Sequence, residues 1–212
     1  QGNGNSDIFK ENRNVFTFSM HSKTNYPAKK STSDLDVELE DNLEDQSYIN
    51  ILKHYLINRG LANKILIVDL DVHQGNGNSD IFKENRNVFT FSMHSKTNYP
   101  AKKSTSDLDV ELEDNLEDQS YIKTLKHYLT ELNEKNFDYV FYIAGVDIHF
   151  NDRLGKLKIT DDGIRMRDEL VVENFFSKRI PICGVLGGGY NKDFNKLVEL
   201  HSMLHQSCAK FI

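Results

Sequence analysis

The chain has 212 residues, 38% hydrophobic and 27% charged, with 26 Lys and Arg against 32 Asp and Glu for a formal net charge of −6. That length holds one α/β domain with a substantial core plus an appendage, and is too short for two full domains of that kind. Basic residues are scattered singly or in pairs such as Lys29–Lys30 and Lys102–Lys103, which excludes the basic face of a general nucleic-acid binder, and no apolar run approaches the roughly 20 residues that span a bilayer.

The polar N-terminus does not read as a secretion signal, so a cytoplasmic location is expected, or a nuclear one in a eukaryote. Cys183 falls in an apolar strand pattern and Cys208 in a helical one, which fits buried thiols in a reducing compartment better than a disulfide scaffold.

Along the chain the first feature is a repeat. Residues 1–49 recur unchanged as 74–122, and the match continues to Leu56 and Leu129 with changes only at Asn50/Lys123 and Ile51/Thr124. Old structural repeats keep pattern and lose identity, so this copying is recent, engineered, or an error of sequence assembly or gene prediction. Residues 1–56 are therefore expected to add one strand–helix unit, with a strand near 14–21 and a helix near 46–59 that Gly60 could end; residues 57–212 form the main body.

Four apolar, β-branched or aromatic runs follow: "ILIVDLDVH" (65–73), "NVFTFSMH" (87–94), "DYVFYIAGVD" (138–147) and "IPICGVLGGGY" (180–190). Each has the composition of a strand buried on both faces. Helical patterns separate them. In 118–134 the stripe is Tyr121, Ile122, Leu125, Tyr128, Leu129 and Leu132. In 160–177 Thr160 is the N-cap, Asp161 and Asp162 suit the positive end of the helix dipole, and Ile164, Val171 and Phe175 share a face. The last helix, about 194–211, is expected to turn Phe194, Leu197, Val198, Leu204 and Cys208 inward. The acidic run "DLDVELEDNLED" (107–118) reads as a solvated face leading into a helix. Strand and helix in alternation predict an α/β fold, a mostly parallel sheet flanked by helices.

In such a sheet functional groups gather where strands end. Asp69, Asp71 and His73 alternate and so share one face of an extended chain. The next apolar strand but one ends at Asp147, and the last at Gly187-Gly188-Gly189-Tyr190. Each residue alone reads as a cap or a turn; together, two carboxylates and an imidazole can bind a divalent cation and leave positions open for water and a substrate oxygen. Zinc is favoured, with iron(II) as the alternative, because N/O ligand sets discriminate poorly between them. His201 and His205, four apart on a helix, lack an acidic third ligand, and "GNGNSD" lacks the spacing and lysine of a phosphate loop.

The segments "DLDVHQGNG", "SMH", "AGVD" followed by "DRLG", and "GGGY" resemble, in order and spacing over about 57–212, the signatures of the histone deacetylase family. "AGVDIHFNDRLGKLKIT" is most similar to its class IV-type members and their bacterial relatives. The resemblance implies an arginase/deacetylase-like fold, incomplete on its N-terminal side, and zinc-dependent removal of acyl groups from lysine or from an acylated small amine. It places Asp71, His73 and Asp147 as zinc ligands and Tyr190 as the phenol that donates to the carbonyl as it becomes an oxyanion. Asp69, Ser92 and the backbones of Asp71, His73 and Met93 match a buried monovalent-cation site, usually potassium, and Gly187, Gly188 and Gly189 would form the tight turn that aims Tyr190.

One departure is large. Family members use a pair of adjacent histidines as base and acid, and no two histidines adjoin anywhere in this sequence. Asn76 stands where relatives place an Asp or Asn beside one of that pair, without its partner. His94 and its twin His21 follow a strand end, a position to which the family gives no proton-transfer role. Two readings follow: an impaired hydrolase, or an inactive metal-binding remnant that still recognises acyl-lysine or a protein partner. A binuclear manganese hydrolase of the arginase type would need a carboxylate where Gly75 stands. A sheet lacking part of its strands should also expose edges and apolar surface, which favours self-association.

Overall fold

The structure, a computed structural model, describes residues 7, 11, 18–24, 29–33, 35–39 and 62–211. The chain divides into two units, Gln1–Leu61 and Ala62–Ile212. In the first, β1 (Phe18–Ser22) pairs in parallel with β2 (Leu35–Leu39), Phe18 opposite Leu35 through Ser22 opposite Leu39. The helix expected near 46–59 lies outside the described residues.

The second unit runs β3 (Ile65–Asp69), α1 (Asn76–Phe82), β4 (Val88–Ser95), β5 (Leu108–Leu112), α2 (Asp118–Asn133), β6 (Tyr139–Ala144), α3 (Asp161–Phe176), β7 (Ile182–Leu186) and α4 (Phe194–Ala209). Its strands form one parallel sheet in the order β5-β4-β3-β6-β7. β4 and β5 pair from Phe91 opposite Leu108 to Ser95 opposite Leu112. This is the ladder of β1 and β2 residue for residue, so identical sequence has produced the same local pairing twice.

All strands point the same way, so the C-terminal ends of central β3 and its neighbours β4 and β6 meet at one rim. Asp69, the last residue of β3, is in register with Ser92 on one side and Ile143 on the other. β3 is buried throughout, as its run of apolar residues requires of a central strand. α2 buries Tyr121, Leu125, Leu129 and Leu132 along one stripe. α3 begins as its sequence demands: the Thr160 hydroxyl accepts from the Gly163 amide at 3.2 Å, satisfying one of the donors that a helix start leaves over. Among the described residues no helix is long and apolar enough to cross a membrane.

Four expectations need correction. β3 stops at Asp69, not His73, because the Asp69 carboxylate accepts the Asp71 amide at 3.1 Å and bends the chain out of the ladder. β7 is an edge strand, not one covered on both faces: Val185 and Leu186 are exposed. α4 lies on α3 at that margin and buries Leu200, Met203, Leu204 and Ser207; Leu197 and Cys208 are partly covered, while Phe194 is 73% and Val198 51% exposed. Finally, the acidic run contains β5, in which Val110 and Leu112 turn inward and Glu111 outward.

Candidate metal centre

Three loops at the rim supply the site, and backbone amides lash them together. Asp71 accepts the His73 amide at 2.9 Å and the Gly188 amide at 2.6 Å. Asp147 accepts the Val72 amide at 2.8 Å, and the Val146 amide donates to the Gly188 carbonyl at 2.7 Å. Asp147 thus spends one oxygen on orientation and turns the other toward His73, whereas Asp71 gives Oδ2 to the Gly188 amide and Oδ1 to both the amide and the ring of His73, a second layer of bonds of the kind that aims metal ligands.

The His73 Nδ1 atom lies 3.0 Å from Asp71 Oδ1 and 3.0 Å from Asp147 Oδ2. One ligand atom from each of the three residues falls within 4.8 Å of the others. The Asp147 side chain is wholly buried, while those of Asp71 and His73 keep 15% and 20% of their surface, so the cluster opens on one side. Among the described residues no other grouping of three such side chains occurs.

The electrostatics call for a cation. Burial first, then the neighbouring Asp71 charge, raises the Asp69 carboxyl to about 8. Burial also raises Asp147 to about 6. Asp71 is pushed up by burial, but the hydrogen bonds it receives hold it below its ordinary value. Hydrogen bonds to Asp147 and Asp71 lift His73 to about 10, so in this arrangement its proton serves as the counter-charge. A single Nδ1–H can donate well to only one of two carboxylates, whereas a divalent ion placed among the three atoms serves all of them. The donor set therefore fits a metal.

Tyr190 stands beside the opening, 42% exposed, its ring edge-on to that of His73 with centroids 6.0 Å apart. Its amide donates to Asp152 Oδ2 at 2.6 Å, and Asp152 Oδ1 accepts from the Leu154 and Gly155 amides at 2.8 and 3.0 Å. Asp152 thereby ties the 152–155 loop to Tyr190, a role that its place in the sequence did not signal. Burial first, then the charges of Asp147, Asp71 and Asp152, raises the Tyr190 phenol and keeps it a donor.

The glycines before Tyr190 are there for room. A Cβ on Gly188 would sit 2.2 Å from Asp147 Oδ2 and 2.7 Å from Asp71 Oδ2. Likewise a Cβ on Gly75 would lie 2.1 Å from Asp69 Oδ2, so the place a second metal's carboxylate would need has no space for a side chain.

Of the proposed monovalent-cation set, Asp69 and Ser92 are ladder partners and Met93 is fully buried next along β4. Ser92 Oγ accepts from the Gly75 amide at 3.3 Å and lies 2.9 Å from His94 Nδ1. His94 is fully buried against that serine, away from the open side. Gln74, also passed over in the sequence, clasps Ser104 through both its amide atoms and Asp109 at 2.9 Å, locking the loop after His73 to the approach of β5. "GNGNSD" starts α1 directly after Gly75, and His201 packs near Gly189.

Residues 49–204 match the family model of the histone deacetylase domain. The chain belongs to the histone deacetylase family. An uncharacterised protein of Picosynechococcus is 49% identical over 150 residues, covering 70% of this chain and 50% of that relative. Histone deacetylase 2 of Arabidopsis thaliana is 33% identical over 155 residues, covering 71% of this chain and 40% of that protein. Among solved structures, the HDA15 HD domain superposes with a TM-score of 0.58 at 25% identity over 76% of this chain and 48% of its own. The acetylpolyamine aminohydrolase of Burkholderia pseudomallei superposes at 0.65 and 18% identity, over 85% of this chain and 53% of its own, and shares the fold. The arginase/deacetylase-like sheet expected from the sequence is the one found. This deacetylase-family chain spans half or less of the length of the relatives it matches in sequence.

Proposed function

We propose that the chain carries the metal-binding part of a zinc-dependent amide hydrolase acting on acylated lysine or acylated small amines. The observation that carries this reading is the convergence of Asp71, His73 and Asp147 at an open rim beside Tyr190. Zinc is preferred to iron(II) on the family's general usage, and potassium is proposed for the Asp69–Ser92 side. A zinc ion held by the three ligands would supply Lewis-acid polarisation for amide hydrolysis.

The chain's own residues do the rest of what is present. Asp147, wholly buried and bonded to the Val72 amide, fixes one side of the site, and the Gly188 amide holds Asp71 on the other. The Tyr190 phenol donates to the substrate carbonyl oxygen as negative charge grows there, where a preplaced donor lowers the barrier most. Amide hydrolysis also needs a base for water and an acid for the leaving amine. No two histidines adjoin in the sequence to serve as that pair, and two of the buried ones are already engaged. His94 is buried against Ser92, and His149, 1% exposed, pairs with Asp161 at 2.9 Å. Hydrolysis by this chain alone is therefore impaired.

The open edge supports the same reading. β7 ends the sheet with Val185 and Leu186 exposed, and Phe194 and Val198 of α4 are exposed as well, as expected of a surface that further strands of a longer domain would cover. The test is complementation with the N-terminal half of a relative that carries the histidine pair, using acetyl-lysine peptides and acetylated polyamines. Turnover should rise by about 100-fold or more over the chain alone. Full turnover by the chain alone would refute the impairment. Zinc retention and acyl-lysine binding with no turnover after complementation would favour the second reading, a binding remnant, which the missing base recommends.

A further inference from the structure

Beneath the rim lies a charge that the metal chemistry does not use. Arg167 of α3 is 0% exposed, among the largest fully buried side chains of the described residues. Its Nη1 donates to the Gly145 carbonyl and approaches the Leu70 carbonyl at 3.4 Å. Leu70 immediately precedes Asp71, and Gly145 comes two residues before Asp147. These two carbonyls lie where β3 and β6 have left their common ladder, so neither can rely on strand pairing for a partner. Gly145 is itself pressed against the site: a Cβ there would meet Asp71 Oδ2 at 2.4 Å.

The guanidinium is held from behind. Asp168 Oδ1 accepts from Nε at 2.9 Å and lies 2.9 Å from Nη2. Tyr142 of β6 donates to the same oxygen at 2.5 Å, with its ring 5.9 Å from the Arg167 Cζ. A planar group fixed on one side by a carboxylate and donating on the other to two separate loops is a rigid spacer, which a flexible lysine ammonium cannot reproduce.

We infer that Arg167 is a positioning residue of the metal centre, setting the distance between Asp71 and Asp147 by gripping the carbonyls of Leu70 and Gly145. The inference rests on the proposed metal-binding function and concerns how that site is kept in shape. Asp168 and Tyr142 form the brace that keeps the guanidinium in place.

The test measures zinc affinity by chelator competition, the visible spectrum of the cobalt-substituted protein, and the melting of the metal-free protein, on the full chain. Arg167→Met leaves Asp168 buried and unpaired, which can unfold the protein for reasons unrelated to metal. The triple variant Arg167→Met/Asp168→Leu/Tyr142→Phe removes the charge pair together with its hydrogen-bond donor, leaves only the Leu70 and Gly145 carbonyls without their donor, and should melt well above Arg167→Met. Zinc binding in the triple variant should weaken by about 10- to 100-fold with an altered cobalt spectrum, and Arg167→Lys, which keeps the charge without the planar fork, should also bind zinc more weakly than the parent. A folded triple variant with the parent's affinity and cobalt spectrum would overturn the inference and leave the metal-binding reading standing. Absence of zinc binding by the parent chain would overturn both.

Discussion

Replacing Gly188 with alanine tests the packing of the site more sharply than removing a ligand. The new Cβ would stand 2.2 Å from Asp147 Oδ2, where ordinary contact begins at 3.4 Å, leaving a shortfall of about 1.2 Å. Asp147 cannot step back, being fully buried with its other oxygen on the Val72 amide. Asp71 cannot either, because the Gly188 amide itself holds it. The 187–189 segment must withdraw, stretching the bond from Gly188 to Asp71 and that from Val146 to the Gly188 carbonyl. Overpacking of this kind costs about 1–3 kcal/mol of stability, and loss of the supporting bonds should weaken zinc binding about 10- to 100-fold. Chelator competition and thermal melts measure both. Gly77→Ala is the control, since nothing lies within 4 Å of its Cβ and it sits inside α1. Parent-like zinc affinity in Gly188→Ala would refute the account of why that residue is a glycine.

Two further outcomes follow from the same geometry. In the metal-free protein His73 holds its proton up to about pH 10, and a metal must displace that proton; apparent zinc affinity should therefore rise about tenfold per pH unit between roughly pH 7 and 9, and a flat profile by titration calorimetry would contradict it. The linked stability has the opposite sign: His73 has a folded value above its ordinary 6.5, so its contribution to the metal-free fold is complete below that pH and is lost as pH rises toward about 10. Tyr190→Phe in the complemented enzyme should lower kcat by about 100- to 1000-fold while zinc affinity stays unchanged, as steady-state kinetics and chelator competition would show; unchanged kcat would remove the phenol from the mechanism.

The sequence made the sheet and the candidate triad readable for different reasons. Long apolar runs separated by helical stripes leave few alternatives to a parallel sheet, and Asp71, His73 and Asp147 announced themselves by falling where such runs end. The geometry that joins them was not readable. Alternation along an extended strand suggested a shared face, yet the chain bends at Asp69, and the three meet through backbone amides donating to carboxylates. Strand order is a long-range property, so nothing local marked β7 as an edge or told α4 that Phe194 and Val198 would have no cover. β5 was hidden in an acidic run although its "LDVEL" alternation could have revealed it. Arg167 and Asp168 look like solvated helix residues; the one signal was that they fall three and four after Ile164 and four and three before Val171, inside the apolar stripe.

Anomalous diffraction at the zinc edge from crystals of the zinc-loaded chain tests the central claim most directly. One peak per chain is expected, bonded to Asp71, His73 and Asp147 at about 2.0–2.2 Å, with the Tyr190 phenol facing its open side. Zinc bound only elsewhere, or these three side chains still hydrogen-bonded to one another with no ion among them, would contradict it.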